Sequence, residues 1–256
     1  METTQNPFLY KYLDALGALN MIKHHDLQFT NATKLNDPFD CHPGLIDFSK
    51  VPECRTKCWG KDDVIALESN LYERIRDRTW LCSLSKVYDS LLMWSYYNGH
   101  KGVCLGLDME KAKPYLSNIR GATMIGCDIV EVQYKEILDK PDYFRPDQSI
   151  FLYQWSTKAK EWAHEQEVRL VIDEPSQIMP WRVPNEFKDR ESVDYKEIRF
   201  HPTIGPECFD SMYLGIKLED YKKEQLIEAA KSINPTIKIY QMEIDPVAFK
   251  LKAKLL

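Results

Sequence analysis

The sequence predicts an α+β fold: one domain over residues 1–256, built on a mixed, mainly antiparallel sheet flanked by helices. Three observations carry that prediction. Short segments of alternating apolar and polar residues recur from Phe8 to Leu256. Segments of helical spacing interrupt them without the regular alternation of a doubly wound sheet. The 256 residues are 44% hydrophobic and 12% aromatic, enough for one full core. No internal repeat, low-complexity tract or glycine-rich linker divides the chain.

The elements follow in order. FLYKYL, Phe8 to Leu13, alternates as a strand does, and Asp14 stands where it caps the helix DALGALNMIKHH. DLQFTN, Asp26 to Asn31, reads as a second short strand, and TKLNDPFDCHPG, dense in turn formers, as an ordered loop. Val64, Leu67, Leu71 and Ile75 recur at helical spacing between Lys61 and Arg78, with Asp62 and Asp63 at the positive end of the dipole. TWLCSLS is a buried strand, Asp89 opens the helix SLLMWSYYNG that Gly99 closes, and GVCLGLD is a further strand. MIGCDIVEVQY, Met124 to Tyr134, alternates over its second half. Ile150 to Glu165 is predicted as the longest helix, running straight into the strand EVRLVID. Beyond a loop from Pro175 to Pro184, KEIRF and SMYLGIK read as strands, EDYKKEQLIEAAKSIN as an amphipathic helix and TIKIYQMEI as a strand. In the closing segment, residues 246–256, Phe249, Leu251, Ala253 and Leu255 alternate with Lys250, Lys252 and Lys254. That strand with a lysine face can pair within its own sheet or serve a protein partner.

A net charge of -5, from 39 acidic and 34 basic side chains, gives no global positive field for nucleic acid or an anionic membrane. Met1 to Leu13 lacks the basic start and apolar run of a signal peptide, and no stretch approaches the ~20 apolar residues of a membrane span. A cytoplasmic protein is expected. Seven scattered cysteines suit reduced thiols rather than a disulfide framework. Cys41, His42, Cys54 and Cys58 fall close together, but the adjacency of Cys41 and His42 makes tetrahedral ligation awkward, and no metal is expected.

EQEVR carries Glu165, Glu167 and Arg169 at alternate positions, which period-2 alternation puts on one face of a strand. Such a face is either a solvated charged surface or a carboxylate aimed into a cleft, where it can hold a ribose hydroxyl or stabilise a cationic transition state. NDPFD offers Asn36, Asp37 and Asp40 around a proline, as a structural turn or as ligand contacts. The serines of SLSK, Ser83 and Ser85, together with Trp94, Tyr96 and Tyr97, can line a slot for a flat ring, although aromatics at helical spacing also build cores. His100, in the turn after that helix, is a candidate base. Phosphate-loop, dinucleotide-fingerprint, zinc-helix and serine-elbow motifs are absent from the sequence.

LYKYL, LQFTNATKLNDPFD, LCSLSK, DSLLMWSYYNGHKGVCLGLD and KAKEWAHEQEVRLV, in that order from about Leu9 to Val171, resemble the bacterial family catalogued as domain of unknown function 2971. More distantly, the chain is similar to ADP-ribosyltransferases, whose sites combine a first-strand basic residue, a second-strand serine motif and a late [QE]-x-E. The resemblance implies Lys11 or Tyr12 in the first place, where relatives have arginine or histidine, then Ser83 and Ser85, then Glu165 and Glu167. It further implies Glu167 as the catalytic carboxylate, Arg169 orienting it, a nicotinamide dinucleotide (NAD) as the bound molecule, and a role as a toxin or antiviral effector. A non-catalytic ligand- or protein-binding module and, below it, a ribonuclease are the alternatives.

Overall fold

A computed structural model describes residues 7–57, 59–119, 126–145, 150–173, 197 and 199–256. The loop expected from Pro175 to Pro184, Cys58, the start of the Met124 segment and Lys196 and Ile198 of KEIRF lie outside the described residues, as do the side chains of Leu71 and Ile75.

Hydrophobic alternation produces the central sheet. β1 (Phe8–Leu13), β2 (Thr30–Asn31), β3 (Thr79–Ser85), β4 (Val103–Asp108), β5 (Asp128–Glu131), β8 (Glu167–Asp173), β9 (Phe209–Leu214), β10 (Lys238–Ile244) and β11 (Leu251–Leu255) join in the order β11-β10-β9-β4-β1-β3-β8-β5, with β2 also on β3. Among the described residues, only the β9–β10 pairing in this sheet is parallel. Between β5 and β8, the short strands β6 (Gln133–Lys135) and β7 (Thr157–Ala159) pair separately.

The helices are α1 (Ala15–His24), α2 (Glu53–Thr56), α3 (Lys61–Asp77), α4 (Leu91–Asn98), α5 (Met109–Leu116), α6 (Ile150–Ser156) and α7 (Asp220–Ile233). Asp14 caps α1 as expected, accepting from the Gly17 N–H at 2.6 Å, and Gly99 ends α4 in the left-handed region at φ 56°. One sheet face buries Leu9, Leu105, Leu107 and Met212 against α1, α5 and α7; the other buries Tyr10, Tyr12, Cys104 and Tyr213 with Trp94 of α4. Gly106 permits that second packing, because a Cβ there would stand 2.2 Å from the Ser211 hydroxyl. Among the described residues, no helix is long and apolar enough to cross a membrane.

Four local expectations are corrected. The helix expected from Ile150 to Glu165 stops at Ser156; the chain extends through β7 and closes as a 3-10 helix, Lys160–Glu165. Burial overrides propensity there, because Lys158 is drawn to three interior carboxylates. DLQFTN supplies only two strand residues, with isolated bridges from Asp26 to Thr203 and from Phe29 to Phe200, the last residue of KEIRF. Ser90, not Asp89, caps α4, its hydroxyl accepting from the Met93 N–H. Finally, Glu165 precedes β8 rather than belonging to it: Gln166 turns through the left-handed region at φ 44° before Glu167 opens the strand.

Candidate functional site

The site begins as a defect in sheet pairing. β3 meets β1 only at Tyr10↔Ser85 and meets β2 only at Thr30↔Leu81 and Asn31↔Trp80. The edge of β3 around Ser83 is therefore shared by neither neighbour. Alternation puts Lys11 on the same side of β1 as the core residue Leu9, and its ammonium escapes through this gap to donate to the Ser83 carbonyl at 2.8 Å. A cavity of about 320 Å³ opens here, lined by Lys11 and Tyr12 of β1, Ser83 and Ser85 of β3, Asn36 and Asp40 of the loop, Tyr97 of α4, and Lys158, Glu165 and Glu167.

Behind it lies a buried charge cluster. Asp40, Lys158, Glu165, Glu167 and Arg169 are all between 0 and 5% exposed. Arg169 donates from Nε to Glu167 Oε1 at 2.9 Å and from Nη2 to Oε2 at 3.0 Å, a two-pronged grip, while Nη2 also reaches Asp40 Oδ1 at 2.5 Å. Lys158 Nζ donates to Glu165 Oε2 at 2.6 Å and Glu167 Oε2 at 3.1 Å, with Asp40 Oδ2 at 3.7 Å. The Tyr97 hydroxyl donates to Glu165 Oε1, and the Glu167 N–H donates to the Tyr134 hydroxyl at 2.7 Å. The three same-side charges of the sequence are thus an interior network.

Charge decides the ionisation. Burial alone would raise the Glu167 carboxyl, but Arg169 and Lys158 outweigh it and hold the group down at about 2. Burial likewise opposes the charge on Lys158, yet Glu167, Asp40 and Glu165 lift it to about 12. Asp40 goes the other way: desolvation raises it despite Arg169 and Lys158. Three carboxylates thus face two cations. Glu167 remains an immobile anion at the cavity wall, and Tyr97, raised by burial and by Glu165, remains a donor.

The Glu167 shift gives a stability prediction. Its folded value lies below the ordinary 4.5, so its contribution is complete above about pH 4.5 and is lost as pH falls toward 2. The loss is on the order of 3 kcal/mol. Urea unfolding midpoints between pH 6 and 2.5 should fall steeply in the wild type and less in Glu167→Gln.

Scanned against family models, curated proteins and solved structures, the chain matches none.

Eight expected site residues line the cavity: Lys11, Tyr12, Asn36, Asp40, Ser83, Ser85, Glu165 and Glu167. Five lie elsewhere. Arg169 is fully buried behind Glu167 and also donates to the Trp155 carbonyl at 2.9 Å, so it positions the carboxylate without facing the cavity. Asp37 is buried in its own turn, accepting from the Phe39 N–H at 2.9 Å. Trp94 is core, its indole N–H bound to the Tyr88 carbonyl at 2.7 Å; Tyr96, next to the cavity-lining Tyr97, is exposed against the His164 ring. His100 sits in the left-handed turn after α4, its Nε2 3.0 Å from the Ser95 hydroxyl.

Lys158 and Tyr97 complete the site. Lys158 was hidden within an apparent helix, and Tyr97 differs from Tyr96 only in which side of α4 it occupies. Of the cysteine and histidine group, Cys41 is buried beside Arg169 with its thiol pushed up to about 12 by burial, His42 Nδ1 accepts from the Gly44 N–H, and Cys54 is exposed.

Proposed function

We propose that this chain is an ADP-ribosyltransferase-like enzyme that takes a nicotinamide dinucleotide into the cleft at the β1–β3 gap. The observation that carries it is the convergence of Lys11, Ser83 and Glu167, from three separate strands, on one cavity.

The lining residues fit the molecule in charge and in size. The Lys11 ammonium donates to the Ser83 carbonyl at 2.8 Å, which leaves its charge at the cleft for a pyrophosphate. The cavity of about 320 Å³ lies at the small end of ligand sites, ~300–1,000 Å³. It takes one nucleotide half of the molecule and leaves the remainder toward the opening. Bound there, the dinucleotide supplies a glycosidic bond to nicotinamide whose cleavage builds positive charge on the ribose.

Glu167 then acts through its fixed negative charge, which needs no reorganisation as the sugar becomes cationic. Glu165, gripped at one oxygen by Tyr97 and at the other by Lys158, accepts from a ribose hydroxyl or from the incoming nucleophile once Tyr97 yields. Ser83 and Ser85 bound the ring pocket. The acceptor is a protein side chain, a nucleic-acid base or water, and a toxin or antiviral role is what the likeness to ADP-ribosyltransferases implies.

A second reading has its own observation. Both Glu167 oxygens are already bonded to Arg169 and Lys158, which suits a rigid ligand-binding module without catalysis. Isothermal titration with oxidised dinucleotide tests the shared premise: the wild type should bind, and Lys11→Met should bind about tenfold more weakly through loss of the phosphate cation. Absence of binding by folded wild type rejects the enzyme reading and moves the assignment to a binding module for a different ligand.

A further inference from the structure

At the far end of the sheet, a separate surface has the chemistry of a binding edge. Among the described residues, β11 is the outermost strand and pairs only with β10. The Asp245 N–H donates to the Lys250 carbonyl and the Leu256 N–H to the Ile239 carbonyl, which identifies Asp245↔Lys250 and Ile239↔Leu256 as hydrogen-bonded pairs. Since such pairs alternate along an antiparallel ladder, the N–H and C=O groups of Leu251, Ala253 and Leu255 point away from β10. They form an outward row of donors and acceptors.

Beside that row stand Lys250, Lys252 and Lys254. Glu243 lies 3.9 Å from Lys252 and 3.4 Å from Lys254, so one carboxylate is shared by two exposed ammonium groups. The edge carries surplus positive charge on a chain whose net charge is -5. Just before the strand, Val247 and Phe249 are fully exposed and, with Leu91 and Ile244, border an apolar groove of about 450 Å³.

We infer that the β11 edge binds an extended, acidic segment of a partner protein, which adds a strand through Leu251, Ala253 and Leu255 and sets alternate Glu or Asp residues against the lysines. A second copy of this chain is the poorer occupant: antiparallel pairing of two β11 strands about Ala253 would set Lys252 directly against Lys254 of the other copy, and like charges directly opposite destabilise a pair. Lysines on an edge also guard against unwanted pairing. That guard turns into an attraction when the incoming strand is acidic, and the groove beside Phe249 offers the segment an apolar anchor.

The probe is a blocked seven-residue peptide alternating valine and glutamate, compared with its valine and lysine counterpart. The acidic peptide should bind the full chain, slow amide exchange at Ala253 and Leu255 by NMR, and weaken on raising salt; the basic peptide should not bind. Lys252→Glu/Lys254→Glu should weaken binding at least about tenfold. Ala253→Pro, which removes an outward N–H and leaves the lysines in place, should abolish it in a protein of unchanged circular dichroism. No binding of the acidic peptide, equal binding of both peptides, or binding indifferent to the lysine reversals would overturn the inference, leaving the lysines as a guard alone. A concentration-dependent dimer lost in Ala253→Pro would overturn it in favour of self-association.

Discussion

Arg169→Met will lower the unfolding free energy by about 3–5 kcal/mol, the cost of leaving interior carboxylates without their counter-ion. Arg169 has no exposure, makes both prongs of the Glu167 grip, and binds Asp40. With the guanidinium gone, three carboxylates face Lys158 alone. Some of them must then protonate, so the loss should be greatest near neutral pH and smallest near pH 3, where protonation is easy. Urea denaturation of the variant at both pH values checks this. A loss below 1 kcal/mol at pH 7 would show that the network tolerates its own repulsion, contrary to the geometry. Glu167→Gln/Arg169→Met, which removes an acid with its base, should recover part of the stability.

The second large effect falls on chemistry. Glu167→Gln should reduce nicotinamide release by about 10²–10³-fold, the range for deleting one preorganised electrostatic group. The substitution leaves Asp40 and Glu165 opposite Lys158 and Arg169, a balanced set, so the fold should survive; a thermal melt establishes that first. Dinucleotide affinity should change far less than turnover, because the negative charge matters most when the ribose is cationic. Equal losses in affinity and turnover would instead make Glu167 a binding group.

Much of the fold was legible because its signals are local. FLYKYL, TWLCSLS and EVRLVID became β1, β3 and β8 with the bounds that alternation and apolar content gave, and Asp14 and Gly99 punctuated their helices by side-chain and left-handed capping. The region from Ile150 to Glu165 misled because its apolar spacing is helical while its decisive residue is Lys158, whose interior position depends on Asp40, Glu165 and Glu167 and not on its neighbours. Glu165 and Glu167 do reach the same cavity, but a left-handed Gln166, not strand alternation, puts them there. No window of sequence shows that three charges at alternate positions are buried. Their partners lie on another loop and another strand, and pairing across the fold is what makes the burial tolerable. For the same reason the aromatics of SLLMWSYYNG could not be told apart in the sequence: Trp94 turns to the core and Tyr97 to the cleft.

The most direct test of the account is mass-spectrometric measurement of free nicotinamide after purified wild-type protein, Glu167→Gln and Tyr97→Phe are each incubated with oxidised dinucleotide, with and without candidate acceptors. The account predicts release by the wild type, near-complete loss in Glu167→Gln, and a partial change in Tyr97→Phe, where Glu165 is freed of one partner. No release by wild-type protein that binds the dinucleotide would contradict catalysis at this cleft and leave the rigid binding module as its function.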